Sequence, residues 1–265
     1  RAMKSITTGD SNIAVGFDAA STLTSGHRNI MIGRNSGATL TTQDDNVIIG
    51  YDAGNDTAGQ KAVIIGNYAA DDQSPTNAVI IGHAAGRVIN GENTTAVGYN
   101  ALKVATEPDN TAVGAYALQS LVDGENNTAL GIAAGYRIDK GDDSTFLGWY
   151  AGYNATGSYN TFVGSEAGKG GTTSAPYSSG TANTAIGYNT LMSFTTGQQN
   201  TIVGSYAGDA ITSGNYNTFL GTGAGGAITT GGQNTFVGRN VGTGADDANF
   251  NVAVGDTVLN ANFGN

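Results

Sequence analysis

The sequence predicts an all-β chain wound as a parallel β-solenoid, a β-roll of about fifteen rungs of 16 or 17 residues. Three observations predict it. A glycine preceded by Val, Ile or Leu recurs along the whole chain, the three residues before it are apolar or β-branched, and a turn rich in Gly, Asn and Thr separates one copy from the next. Fixed-period self-similarity marks repeat architectures, in which a short unit buries its apolar side only against its neighbours.

The recurring glycines are Gly16, Gly33, Gly50, Gly66, Gly82, Gly98, Gly114, Gly131, Gly148, Gly164, Gly187, Gly204, Gly221, Gly238 and Gly255. The spacing departs from 16 or 17 residues once, between Gly164 and Gly187, where it is 23. The departure predicts an inserted loop over 165–182 within a repeat region spanning 12–259. Residues 1–11 read as a lead-in, and 260–265 as a tail leading to a flanking region outside this chain. Opening on Arg1 rather than Met fits a fragment or processed piece.

Within each copy the strand is the best-defined element. The residue before the glycine is always Val, Ile or Leu, and the residue three before it is always Ile, Val or Thr, from Ile13 through Thr111 to Val252. β-Branched side chains suit a pleated strand. These two positions share one face at a period of two, and the residue between them points to the other. That middle residue is apolar in every copy, as in Ala14, Met31, Ile48, Ala112, Phe146, Phe162, Ile202, Phe219 and Phe236. Both faces of the strand therefore want burial.

After the glycine comes a short segment whose third residue is usually Ala, as in Ala53, Ala101, Ala151 and Ala207. A polar return turn follows, as in Thr195, Thr196, Gly197 and Asn200, where glycine and asparagine supply the turn conformations. An Asn opens the strand in eleven of the fifteen copies, Asn160, Asn200 and Asn234 among them, and predicts a stacked amide ladder or turn cap. With parallel rungs ~4.8 Å apart, the repeats predict a rod on the order of 70 Å long.

Composition narrows the function. The 265 residues include 42 glycines and three prolines without a Gly-X-Y period, which excludes collagen. Eleven Lys and Arg against 21 Asp and Glu give a net charge of −10, with the basic residues scattered singly, so neither nucleic acid nor an anionic membrane is an expected partner. No apolar run approaches the ~20 residues of a membrane span, and the first ten residues lack the apolar core of a signal peptide. With no cysteine there is no disulfide framework.

A thin two-layer coil has one interior, so the second apolar face needs a cover. The expectation from the sequence is that the three-before and one-before residues pack inside the coil. The middle stripe, with Ala112, Phe146, Phe162, Ile202, Phe219 and Phe236, then lies outside and meets the same stripe of sister chains in a closed homo-oligomer. Dimer and trimer both satisfy this argument.

Asn-Thr-Ala-Val-Gly at Asn110 to Gly114, Asn-Thr-Ala-Ile-Gly at Asn183 to Gly187, and Ala-Leu or Ala-Gly followed by Thr-Thr-Gly resemble two related families. One is the head repeat of trimeric autotransporter adhesins. The other is the repeat of phage and viral tail-fibre and surface proteins carrying an endosialidase-type chaperone. The resemblance spans about Asn12 to Leu259. It implies a left-handed homotrimeric β-roll and an extracellular place, on a virion fibre or a bacterial cell surface.

The expected function is a structural and adhesive fibre shaft without catalysis or cofactor, displaying a surface for a host glycan or protein receptor. The alternative is a tailspike-type depolymerase, a glycosidase or lyase, which needs two carboxylates facing across a groove. Asp18 and Asp52 occupy equivalent places two rungs apart, roughly 10 Å by the strand spacing, with Glu166 far away. A third reading, an ice- or mineral-binding face, needs the strand threonines exposed in a flat array; the expectation is that they are buried.

The candidate ligand-binding residues are Trp149, Tyr150, Tyr206 and Tyr177, aromatic rings that stack on sugars or merely shield neighbouring rungs. Further tyrosines follow the repeat glycines at Tyr51, Tyr68, Tyr99, Tyr116 and Tyr188. The histidines His27 and His83 lack partners at ligand spacing, and the pairs Asp44–Asp45, Asp71–Asp72, Asp142–Asp143 and Asp246–Asp247 read as solvated turns, so no metal site is expected. Gly221, Gly223 and Gly226 match a dinucleotide fingerprint, but among 42 glycines the match carries no weight without a crossover helix.

Overall fold

The computed structural model describes residues 1–55, 59–72, 75–171, 177–244 and 247–260. It divides into two compact units, 1–127 and 128–265, each a parallel β-solenoid, with no helix among the described residues. Asp246 and residues 261–265 of the expected tail lie outside the described residues, as do 172–176 of the expected loop.

In the first unit one sheet is formed by β1 (Ile13–Val15), β2 (Ile30–Ile32), β3 (Val47–Ile49), β4 (Val63–Ile65), β5 (Val79–Ile81), β7 (Thr95–Val97) and β9 (Thr111–Val113). A second, two-stranded layer pairs β6 (Val88–Ile89) with β8 (Val104–Ala105). In the second unit the sheet runs through β10 (Thr128–Leu130), β11 (Thr145–Leu147), β12 (Thr161–Val163), β13 (Thr184–Ile186), β14 (Thr201–Val203), β15 (Thr218–Leu220), β16 (Thr235–Val237) and β17 (Val252–Val254). Every pairing sets like position on like: Ile13 lies opposite Ile30, Phe146 opposite Phe162, and Thr201 opposite Thr218.

The repeat glycine is required by this stacking. At Gly148 the backbone has φ +139°, and a Cβ there would sit 2.4 Å from the carbonyl oxygen of Gly164 one turn on. Only glycine permits both the conformation and the approach.

The expectation for the two strand faces is reversed. Ala112, Phe146, Phe162, Ile202, Phe219 and Phe236, assigned to an interface between chains, are fully enclosed by their own chain. The flanking residues point outward, with Val15, Leu130 and Leu220 58%, 47% and 50% exposed. The physical reason lies in the turn after the glycine. It folds the small third residue and the seventh residue under the strand, so Ala151, Ala167, Ile138 and Phe194 are buried there together with the middle strand residue. Phe162 meets Phe146 and Phe194 with ring centroids 5.8 and 5.4 Å apart, and Phe219 stacks on Phe236 at 5.0 Å. Burying one such ring is worth about 1.5–3 kcal/mol.

The strand threonines are likewise not buried as expected. Thr128, Thr201 and Thr218 are exposed, while Thr145, Thr161, Thr184 and Thr235 are half-buried, all on the outer face.

The opening asparagines are buried and form a ladder that also caps the turns. Asn200 Nδ2 donates to Asn183 Oδ1 (3.0 Å) and to the Gly214 carbonyl (2.9 Å), while its own Oδ1 accepts from the backbone N–H (2.9 Å) and Nδ2 (3.1 Å) of Asn217. All four bonding sites of a buried amide are used. In the first unit Ala62, Ala78 and Thr94 interrupt the series, where Asn46 Oδ1 accepts instead from the Ala62 N–H.

The insertion is narrower than the expected 165–182. Residues up to Gly171 stay in the coil, with the Gly168 N–H on Thr190 O (2.8 Å) and the Gly171 N–H on Phe194 O (2.8 Å). The chain is back in register at Ser178, which is buried, bridges Ala155, and donates its N–H to Asn154 O (3.0 Å). No helix among the described residues is long and apolar enough to cross a membrane.

Candidate functional site

Two kinds of surface stand out on the second unit: the outer face of its sheet and a cluster of aromatic rings. The outer face is built from two columns. One is Thr128, Thr145, Thr161, Thr184, Thr201, Thr218 and Thr235 in unbroken register; the other is Leu130, Leu147, Val163, Ile186, Val203, Leu220 and Val237. In the first unit both columns are Ile or Val from β1 to β5, and threonine enters at Thr95 and Thr111. Neither column carries a charged residue at any strand.

The aromatic cluster assembles Trp149, Tyr150, Tyr153 and Tyr136. Trp149 and Tyr150 follow Gly148, and their ring centroids lie 4.3 Å apart. Tyr150 stacks on Tyr153 at 4.6 Å, and Tyr153 on Tyr136 at 4.9 Å with an interplanar angle of 4°. Tyr136 and Tyr153 are each the fifth residue after a repeat glycine, which brings them face to face one turn apart. The Arg137 guanidinium lies over the rings of Tyr136 (5.4 Å) and Tyr177 (4.8 Å) and donates a hydrogen bond to the Tyr177 hydroxyl. Lys169 Nζ lies 5.9 Å from the Tyr150 ring and 2.9 Å from Glu166 Oε2. Trp149 is 48% exposed.

Trp149, Tyr150 and Tyr177 thus come together, as three of the four candidate ligand residues. The fourth, Tyr206, pairs instead with Tyr188, ring centroids 5.2 Å apart and nearly perpendicular. Its hydrogen bond with Tyr188, followed by desolvation, holds its phenol above the ordinary value. Tyr136, Tyr153 and Arg137 escape the sequence reading. Their signal is the recurrence of tyrosine at the fifth place in two consecutive copies, weaker than the recurrence at the first and second places.

The carboxylates act between turns. Asp18 Oδ1 lies 3.1 Å from the N-terminal amine, and Asp52 Oδ1 accepts from Asn35 Nδ2 (2.7 Å). Asp18 and Asp52 stand in one column with Asn35 on the turn between them. Asp44 accepts from the His27 N–H (2.6 Å), and Asp45 binds the Arg28 guanidinium, which holds its carboxyl below the usual range. Asp71 and Asp72 face Arg87 at 3.9 and 3.5 Å. His27 Nδ1 lies 3.1 Å from Asp10 Oδ1, and His83 sits among aromatic rings. Among the described residues no three His, Cys, Asp or Glu side chains converge as a metal site would require.

Comparison with known protein families, with curated proteins and with solved structures finds no match to this chain.

Proposed function

We propose that this chain is a segment of a structural and adhesive fibre, a left-handed β-roll that associates with two identical chains through the outer faces of its sheets. The observation that carries this reading is the uncharged outer face, on which Leu130, Leu147, Ile186 and Leu220 remain between 39% and 50% exposed in one chain. Monomeric proteins rarely leave apolar patches larger than a few hundred Å² uncovered. A stripe repeating at every turn is most simply covered by the same stripe of identical chains about a common axis. Three chains rather than two, the hand of the coil and an extracellular fibre on a virion or bacterial surface come from the family resemblance of the repeats.

The test is mass in solution. Sedimentation equilibrium of the native chain is expected to give three times the chain mass, and Leu147→Asp with Val163→Asp to reduce it to one chain while far-UV circular dichroism is unchanged. A well-folded, soluble native monomer overturns the proposal.

The threonine column favours a second reading, adsorption to ice or a mineral lattice, because seven hydroxyl-bearing residues stand in register on one outer face. Thermal hysteresis shown by a single-chain species would replace the first reading with this one. Its absence, alongside a threefold mass, would dismiss it.

A further inference from the structure

The first unit carries a feature outside the two strand columns and the Trp149 cluster. On seven consecutive turns, Phe17, Arg34, Tyr51, Tyr68, His83, Tyr99 and Tyr116 follow the repeat glycine by one or two places. Arg34 lies over both Phe17 (5.9 Å) and Tyr51 (5.7 Å). Ring-to-ring contacts then continue without a gap: Tyr51–Tyr68 at 5.4 Å, Tyr68–His83 at 5.8 Å, His83–Tyr99 at 5.5 Å and Tyr99–Tyr116 at 5.2 Å.

We propose that this ladder is a binding strip for an uncharged linear polysaccharide laid along the coil, one sugar ring meeting roughly one turn. The proposal deepens the adhesive half of the function above and is independent of the self-association half.

Exposure separates a strip from a mere shield between turns. Phe17 is 64% exposed, Tyr99 47% and Tyr116 37%, whereas rings that only pack turns together, such as Phe219 and Phe236, are wholly buried. The contact angles point the same way. Three of the four junctions are edge-to-face, at 75°, 71° and 80°. In an edge-to-face pair the face of one ring meets the edge of the other, so the two rings do not cover each other face to face as stacked rings do.

Polar groups for sugar hydroxyls stand beside the rings. Arg34 flanks Tyr51, Asp52 and Asn35 are joined by their 2.7 Å hydrogen bond, and Asn67 Oδ1 accepts from the Tyr51 N–H (3.1 Å). A few placed polar groups among apolar surfaces are what orient a ligand. Charge selects the class. Single-stranded nucleic acid also stacks on aromatic ladders but needs a basic groove, and this chain has a net charge of −10. Polyanionic glycans meet the same repulsion. A proline-rich peptide also docks on aromatic surfaces, but extended at about 3.1 Å per residue it does not match a ladder that repeats once per turn.

The test is affinity electrophoresis of the full chain in native gels containing hydroxyethylcellulose, galactomannan or dextran, with sedimentation mass measured on the same preparation. At least one polysaccharide is expected to retard the native chain. Tyr51→Ala and Tyr99→Ala are each expected to weaken that retardation about tenfold, the scale of one aromatic contact, with circular dichroism unchanged. Tyr216→Ala, an exposed tyrosine of the second unit, is expected to leave it as it was. Equal mobility of the native chain in all three gels, retardation that survives both ladder substitutions, or binding of a polyproline peptide in place of any glycan overturns the proposal. A monomeric mass with intact retardation would sink self-association alone, and a trimeric mass without retardation would sink the strip alone.

Discussion

Gly168 faces the ring of Phe162: a Cβ built at Gly168 would lie 2.4 Å from Phe162 Cδ2 and Cγ. The same relation joins Gly152 to Phe146, Gly225 to Phe219 and Gly242 to Phe236. At three turns the sizes are exchanged, Ala96 with Leu102, Ala112 with Leu118 and Ala185 with Leu191, all fully buried. At these turns the two positions share one volume, and close packing disfavours filling it twice.

This complementarity predicts a compensated pair. Phe162→Ala is expected to cost about 3–5 kcal/mol through the cavity it leaves, and Gly168→Leu to destabilise the chain by overpacking. The double substitution reproduces the Ala185–Leu191 arrangement. The backbone allows it, because Leu191 has φ +51° and Gly168 φ +53°. Urea denaturation is expected to show the double variant more stable than either single one; additive losses would contradict the shared volume.

Phe162→Asp and Leu147→Asp separate the two strand faces. The first places an unpaired carboxylate inside the coil, costing several kcal/mol, and is expected to abolish the far-UV β signal. The second lies on the 41%-exposed outer face and is expected to leave that signal intact, its effect confined to mass in solution.

Asn200→Ala breaks the amide ladder in the middle of its longest run. Gly214 O loses its donor, and the Asn217 N–H and Nδ2 lose their acceptor. Each buried group left unsatisfied costs about 1–3 kcal/mol. The expected result is a marked fall in the urea midpoint, and a midpoint within error of the native chain would show the ladder to be dispensable.

Asp209 supplies a pH dependence. Burial raises its carboxyl above the ordinary value of 3.8, against a smaller opposing effect of backbone N–H groups. A carboxyl whose pKa rises on folding favours the folded state below its unfolded pKa. That contribution is lost as pH climbs through the raised folded value. Asp209→Asn is therefore expected to be more stable than the native chain at pH 7, with the difference shrinking as pH falls toward 3.8. Thermal unfolding across that range checks both the sign and the trend.

Deleting Lys169 to Thr181 is expected to destabilise the second unit. It removes Ser178, hydrogen-bonded to Asn154 and Thr156, and Gly180, whose carbonyl accepts from Asn160 Nδ2 (3.0 Å). A fall in Tm of roughly 5 °C or more corresponds to losing one or two such bonds; an unchanged Tm would place the coil boundary elsewhere.

From the amino-acid order alone came the turn-by-turn architecture: the parallel register, the glycine at every strand end and the asparagine at most strand starts. These follow from local geometry repeated at fixed spacing, and each copy testifies to the same constraint. Which strand face turns inward did not follow, because a three-residue strand apolar on both sides is symmetric at a period of two. The direction in which the turns bend decides it, and that bend brings Phe194 of the next turn against Phe162. The paired sizes of Phe162 and Gly168, or Ala185 and Leu191, carried this information in a relation between two positions instead of in either one. The ring contacts of Tyr136, Tyr153 and Arg137, and the unbroken run from Phe17 to Tyr116, belong to the tertiary structure for the same reason: winding brings residues 16 or 17 apart to within about 5 Å, and a neighbour across turns is invisible until the winding is known.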